Sequence, residues 1–150
     1  MTENQLRIKT AEPGDLPALL ELYRQLHPVD PTVSPADAVQ TLQEFLSYPG
    51  SAIFIGLEEH RFVTSCALIV VPNLTRGGRR YALIENVITD KEHRRRGYGR
   101  EILRAAIAAA WKLDCYKVML LTGSNDPATL AFYKTAGFEQ SKTGFQIRRD

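Results

Sequence analysis

Arg94, Arg95, Arg96, Gly97, Tyr98, Gly99 and Arg100 stand together between an apolar run at 82–88 and a long amphipathic segment at 102–111. The first turn of a helix leaves backbone N–H groups unpaired and carries the positive end of the macrodipole. A strand that ends in a basic glycine turn and feeds a helix therefore has the parts of an anion site. Gly97 and Gly99 let the backbone approach an anion closely, and the arginines can add charge-assisted hydrogen bonds to phosphate oxygens. A phosphate is the expected guest. The same residues also suit a helix start that only carries a solvated basic patch, and local chemistry does not separate the two.

Other chemistries fit less well. His27, His60 and His93 have no metal-ligand spacing, so no metal is expected. Ser124 lacks a nucleophile-elbow context and a nearby histidine, and the glycine turn lacks the Gly-Lys-[Ser/Thr] ending of a phosphate-binding P-loop. Cys66 and Cys115 are far apart among apolar neighbours, which reads as two reduced core thiols and a cytoplasmic setting. The first ten residues hold no apolar signal segment, and no window approaches the roughly 18–20 apolar residues of a membrane span. Nineteen basic residues against 17 acidic ones leave a net charge of +2, so positive charge is local, at 76–80 and 94–100. A nucleic-acid partner, which asks for a whole basic face, is not expected.

The elements that must position the turn follow from periodicity. Residues 6–9 alternate as a half-buried strand does. Leu16, Leu19, Leu20, Tyr23 and Leu26 then fall at helical spacing behind a cap at Asp15. Ser34-Pro35-Ala36-Asp37 opens a second helix with an apolar face of Val39, Leu42, Phe45 and Leu46. The period then changes, and 52–57, 62–71 and 81–89 read as three strands in an antiparallel meander. A core-facing helix carries Ile102, Leu103, Ala106, Ile107, Ala110 and Trp111 on one stripe. A short strand at 116–121, a helix at 126–136 stopped by Gly137, and a terminal hairpin or strand at 138–148 complete the chain. With 150 residues and 44% hydrophobic content, this order predicts one domain over 1–150. The fold class is α/β, a three-layer arrangement with a mixed, mostly antiparallel twisted sheet flanked by about four helices.

The run from Glu85-Asn86-Val87-Ile88-Thr89 through Arg94-Arg95-Arg96-Gly97-Tyr98-Gly99-Arg100, with the later Ala131-Phe132-Tyr133-Lys134-Thr135-Ala136-Gly137-Phe138, resembles the GNAT N-acetyltransferase family. Its signature is an [Arg/Gln]-x-x-Gly-x-[Gly/Ala] turn plus a Phe-Tyr-x-x-x-Gly-Phe, and the order of elements matches over essentially the whole chain. Ile84-Glu85-Asn86-Val87 and Cys115-Tyr116-Lys117-Val118 are most similar to the glucosamine-6-phosphate group within it. An acidic residue that this group uses would fall near Leu121, so an amino-sugar acceptor does not follow.

The resemblance implies acetyl-CoA as cosubstrate, with its pyrophosphate on backbone N–H groups of residues 94–100 and its pantetheine arm along Val87, Ile88 and Thr89 on a bulged strand. It implies direct attack of a neutral primary amine of a small molecule on the thioester, through a tetrahedral intermediate. Ile88 N–H would stabilise the oxyanion, Tyr133 would protonate the departing thiolate, and Glu85 would take the ammonium proton. The family's asparagine seven residues before the tyrosine is here Asp126, with Asn125 one earlier, and either is a candidate pantetheine contact. The first two helices, the 27–34 loop and the terminal strands would form the acceptor site. Arg76 to Arg80 could meet a substrate phosphate or only solvate a hairpin. The competing function is a non-catalytic acyl-CoA-binding or peptide-binding module of the same fold, to which a homodimer exchanging C-terminal strands would belong.

Overall fold

In a computed structural model, residues 5–149 are described, and they form two compact units, 5–120 and 121–149. The first unit holds a five-stranded sheet in the order β1 (Arg7–Thr10), β2 (Ala52–Glu58), β3 (Arg61–Val71), β4 (Tyr81–Thr89), β5 (Val118–Met119). β2, β3 and β4 pair antiparallel as the meander predicted, β1 adds antiparallel to β2, and β5 runs parallel to β4. Helices α1 (Leu16–Tyr23), α2 (Pro35–Ser47) and α3 (Tyr98–Lys112) belong to this unit.

Alternation along the strands explains the layers. Ile53, Ile55, Leu57 and Ala67 point to one face, where they pack with Leu16 and Leu19 of α1 and Ala38 and Leu42 of α2. Cys66, one residue from Ala67, points the other way, and its Sγ lies 3.8 Å from the Ile102 carbonyl of α3. Ile102, Leu103, Ala106 and Ala110 are buried on α3. Each large aliphatic side chain so enclosed contributes about 2 kcal/mol of transfer free energy. The cap expected for the second helix is present, since Ser34 Oγ accepts the Asp37 N–H at 3.1 Å, which is typically worth about 1 kcal/mol.

Several expectations change. Trp111 is 53% exposed rather than core filling, because Ala110 already holds the sheet-facing position and the next residue is turned about 100° around the helix. Val39 lies on the solvent side of α2, where Ala38 takes the inward place. The strand expected over 116–121 shrinks to Val118–Met119. Cys66 and Cys115 are buried and unbridged, and burial pushes the Cys66 thiol up to about 12. Arg76 stacks over the Tyr116 ring at 5.7 Å and Arg79 pairs with Asp114 at 3.1 Å. Among the described residues no helix is long and apolar enough to cross a membrane.

The second unit contains α4 (Pro127–Thr135). Its C-terminus is a Schellman turn, in which Phe138 N–H donates to Tyr133 C=O at 3.1 Å and Gly137 N–H to Lys134 C=O at 3.0 Å. Gly137 adopts φ +103, which explains the glycine in the motif. The hairpin or strand expected at 138–148 is absent: no ladder forms there, and Phe145 and Ile147 are 92% and 98% exposed. A segment becomes a strand only against a partner edge, and this one has none among the described residues.

Candidate active site

β4 is built to leave one edge free. Ser65 pairs with Ile88 and Ala67 with Glu85, so Asn86 and Val87 together face Cys66 alone, and Asn86 takes φ +52. This is a β-bulge, which bends the strand and re-aims the groups after it. On its other side β4 is paired to β5 only at Ala82↔Val118 and Leu83↔Met119. Residues 84–89 thus run on without a strand beside them in this unit.

The direction of the backbone groups can be read from the hydrogen bonds. Asp90 N–H donates to Val63 C=O at 2.8 Å, and Ile88 C=O accepts from Thr64 Oγ1 at 3.0 Å. Residues 88 and 90 therefore turn their backbone towards β3, and by alternation Val87 and Thr89 turn theirs to the open edge. The Glu85 side chain shares the α1 and α2 face with its cross-strand partner Ala67. It is exposed and has no ion pair among the described residues.

Beyond Thr89 the chain makes one 3-10 turn at Lys91–His93 and reaches the basic glycine turn. Arg95 and Gly97 have φ +64 and +84, which wraps the backbone around the start of α3. Gly97 is the N-cap of α3 and no side chain caps this end, so the amides of Tyr98, Gly99 and Arg100 lack an intrahelical acceptor. A Cβ added to Gly97 would meet nothing within 4 Å, so the turn is open at that position. An uncapped N-terminus of a 15-residue helix, an open glycine turn and a free strand edge leading into it fit a long ligand with a phosphate at one end.

A buried polar cluster underlies the turn. His93 stands between two carboxylates, with Nδ1 on Asp90 and Nε2 3.0 Å from Glu58 Oε2. Glu58 also accepts from Tyr98 Oη at 2.7 Å and from Arg96 Nη1 at 3.1 Å. Gln25, at the end of the α1 segment, donates to Asp90 at 2.6 Å and accepts the Lys91 N–H at 2.9 Å. Burial pushes the Asp90 carboxyl up, but hydrogen bonds from Gln25 and His93 and the charge of Arg61 outweigh it and hold Asp90 below the usual carboxylate range. The Tyr98 phenol is raised, chiefly by its hydrogen bond to Glu58 and then by burial. Arg94 Nε donates to Thr89 C=O at 3.3 Å, so two of the three consecutive arginines are committed to protein acceptors.

Of the residues singled out in the sequence, the first unit brings Glu85, Val87, Ile88, Thr89 and 94–100 together along β4 and its exit. Tyr133, Asn125 and Asp126 lie in the second unit. There Asp126 Oδ1 accepts the Ala128 N–H at 2.9 Å as the cap of α4, and Asn125 is exposed. The Tyr133 ring is half-buried, tilted against Phe132 at 5.0 Å and edge-on to Phe138 at 6.3 Å. Sequence reasoning missed Glu58, Gln25 and the structural use of Asp90 and His93. The Asp90-x-x-His93 spacing just before the arginines was a readable signal, but nothing local marks Glu58.

A model of the Acetyltransferase (GNAT) family matches residues 16–138. A glucosamine 6-phosphate N-acetyltransferase of Trypanosoma brucei brucei is 29% identical over 147 residues, which are 97% of this chain and 95% of that one. A solved protein from Agrobacterium tumefaciens str. C58, whose name is no more specific than acetyltransferase, is 51% identical, with TM-score 0.91 over 95% of this chain and 99% of its own. The glucosamine-6-phosphate N-acetyltransferase of Arabidopsis thaliana shares the fold, with TM-score 0.88 over 97% and 99% of the two chains at 21% identity. The match spans both the glycine turn and the aromatic helix, and the chain belongs to the GNAT family of acetyl-CoA-dependent acetyltransferases.

Proposed function

We propose that this protein transfers the acetyl group of acetyl-CoA to a primary amine of a small molecule by direct attack, without a covalent enzyme intermediate. The observation that carries the reading is the uncapped N-terminus of α3 behind Gly97, reached along the open edge of β4. The amides of Arg94, Arg95, Arg96, Gly97, Tyr98, Gly99 and Arg100 would hold the pyrophosphate, with the backbone as the main ligand and the guanidinium groups as a secondary attraction. Val87 and Thr89 would pair with the pantetheine amides as an added strand does. Acetyl-CoA supplies an acyl thioester, which is activated towards amines.

The chain's own groups then have three tasks. A backbone N–H must polarise the thioester carbonyl. Alternation along β4 argues for Val87 as that donor in place of Ile88, whose backbone is directed to β3. Glu85, exposed on the α1 and α2 face two residues before Val87, would take the ammonium proton directly or through water. The Tyr133 phenol can give a proton to a thiolate held within hydrogen-bond reach. Asn125 remains the better candidate for a pantetheine contact, because Asp126 is occupied as a helix cap.

The acceptor class is proposed from the relatives, whose names include glucosamine 6-phosphate N-acetyltransferases. The test is to incubate the protein with acetyl-CoA and a panel of amino sugars, polyamines, amino acids and aminoglycosides while following free thiol. Thiol release that depends on one amine class, with matching N-acetyl product, is expected. CoA binding with no thiol release on any amine would favour the non-catalytic module instead.

A further inference from the structure

The glycine turn is not held by local contacts alone. Arg95 adopts φ +64, a conformation that costs a non-glycine residue about 1 kcal/mol, next to Gly97 at φ +84. Two backbone kinks so close together would let an isolated turn sample many shapes. What restrains them comes from 38 and 40 residues away: Glu58, at the end of β2, receives the side chains of Arg96 and Tyr98. These are the residues on either side of Gly97. One carboxylate therefore staples both flanks of the glycine whose neighbouring amides are left for an anion.

We infer that Glu58 is a positioning residue for the acetyl-CoA pyrophosphate, holding the turn in its anion-binding shape before the cofactor arrives. The inference rests on the cofactor reading given above. Glu58 is 8% exposed, and its carboxylate is surrounded by Arg96, Tyr98 and His93. A buried negative charge is poor economy for stability alone, since a well-packed apolar residue often does as well. It is also of the wrong sign to touch a phosphate, and its effect must pass through the groups it holds. By drawing Arg96 inward it also leaves the backbone amides as the first contact for the anion. His93, itself fixed by Asp90, also holds the carboxylate, at its Oε2.

Two variants test this by calorimetry with CoA and by steady-state kinetics. Glu58→Gln keeps the shape but offers one acceptor oxygen where the Arg96, Tyr98 and His93 side chains converge. Tyr98→Phe removes a single hydroxyl and leaves the ring in the core. Each is expected to raise the Kd for CoA by about tenfold, the size of one lost hydrogen bond to a charged group. The loss should appear in KM for acetyl-CoA rather than in kcat. Because both variants weaken one staple, the double variant should cost less than the product of the two effects. Ile53→Val, in the core cluster under α1 and α2, is the control for mere destabilisation: it should lower Tm and leave Kd unchanged. If Glu58→Gln does not fold, Tyr98→Phe decides alone. Unchanged CoA affinity in the folded variants, or a loss confined to kcat, overturns the positioning role. Failure of the unaltered protein to bind CoA would instead remove the cofactor reading itself.

Discussion

Tyr133→Phe should lower kcat by about a hundredfold while CoA binds with nearly its normal affinity, the range expected for loss of a general acid. The substitution removes only the hydroxyl. The ring keeps its contacts with Phe132 and Phe138, and the Schellman turn behind it depends on backbone groups and Gly137, so α4 should retain its structure. If the phenol protonates the departing thiolate, the deficit should shrink with acyl donors whose leaving thiol is more acidic, because such a thiolate leaves without help. Stopped-flow thiol detection with two donors of different thiol pKa would measure this. Full activity of the variant on both donors would assign Tyr133 to packing.

Gly97→Glu should abolish measurable CoA binding, a loss of more than about a hundredfold in Kd. Three effects act together. The residue must keep φ +84, which strains any side chain. The new side chain would enter open space beside the turn, where a Cβ meets no protein atom and where the cofactor is expected. A carboxylate about 4 Å from a phosphate at the surface is repelled by about 4 kcal/mol at an effective dielectric constant near 20. Because the space is open, folding should survive, and an unchanged far-ultraviolet spectrum with no heat on CoA injection is the expected pair of results. Undiminished binding would show that the cofactor lies elsewhere.

How much of this could be read from residues alone follows from the range of the interactions. The glycine turn, β4 at Tyr81–Thr89 and the buried stripe of α3 were legible because each is set by neighbours within a turn or two. The Phe-Tyr-x-x-x-Gly-Phe pattern was legible as a motif, and its physical content is the Schellman turn that folds Phe138 back against Tyr133. What escaped depends on distant partners. Glu58 meets Tyr98 across 40 residues, and no period or motif links them. The terminal 138–148 segment, with its Thr143-Gly144 turn signal, suggests a hairpin or strand, yet a strand is a property of two chains side by side. Trp111 shows the same limit on a helix, since a stripe counted by spacing has edges whose burial is decided by the sheet beneath. The direction of single backbone amides on β4 required the register of the bulge, which shifted the proposed oxyanion donor from Ile88 to Val87.

The central claim is that the amides at the start of α3 bind the pyrophosphate of acetyl-CoA. Its most direct test is a titration of isotopically labelled protein with CoA, followed by amide resonances. The largest shifts are expected at Gly97, Tyr98, Gly99 and Arg100, with smaller ones at Val87 and Thr89 along β4. Saturable binding that shifts amides elsewhere and leaves residues 97–100 unmoved would contradict it.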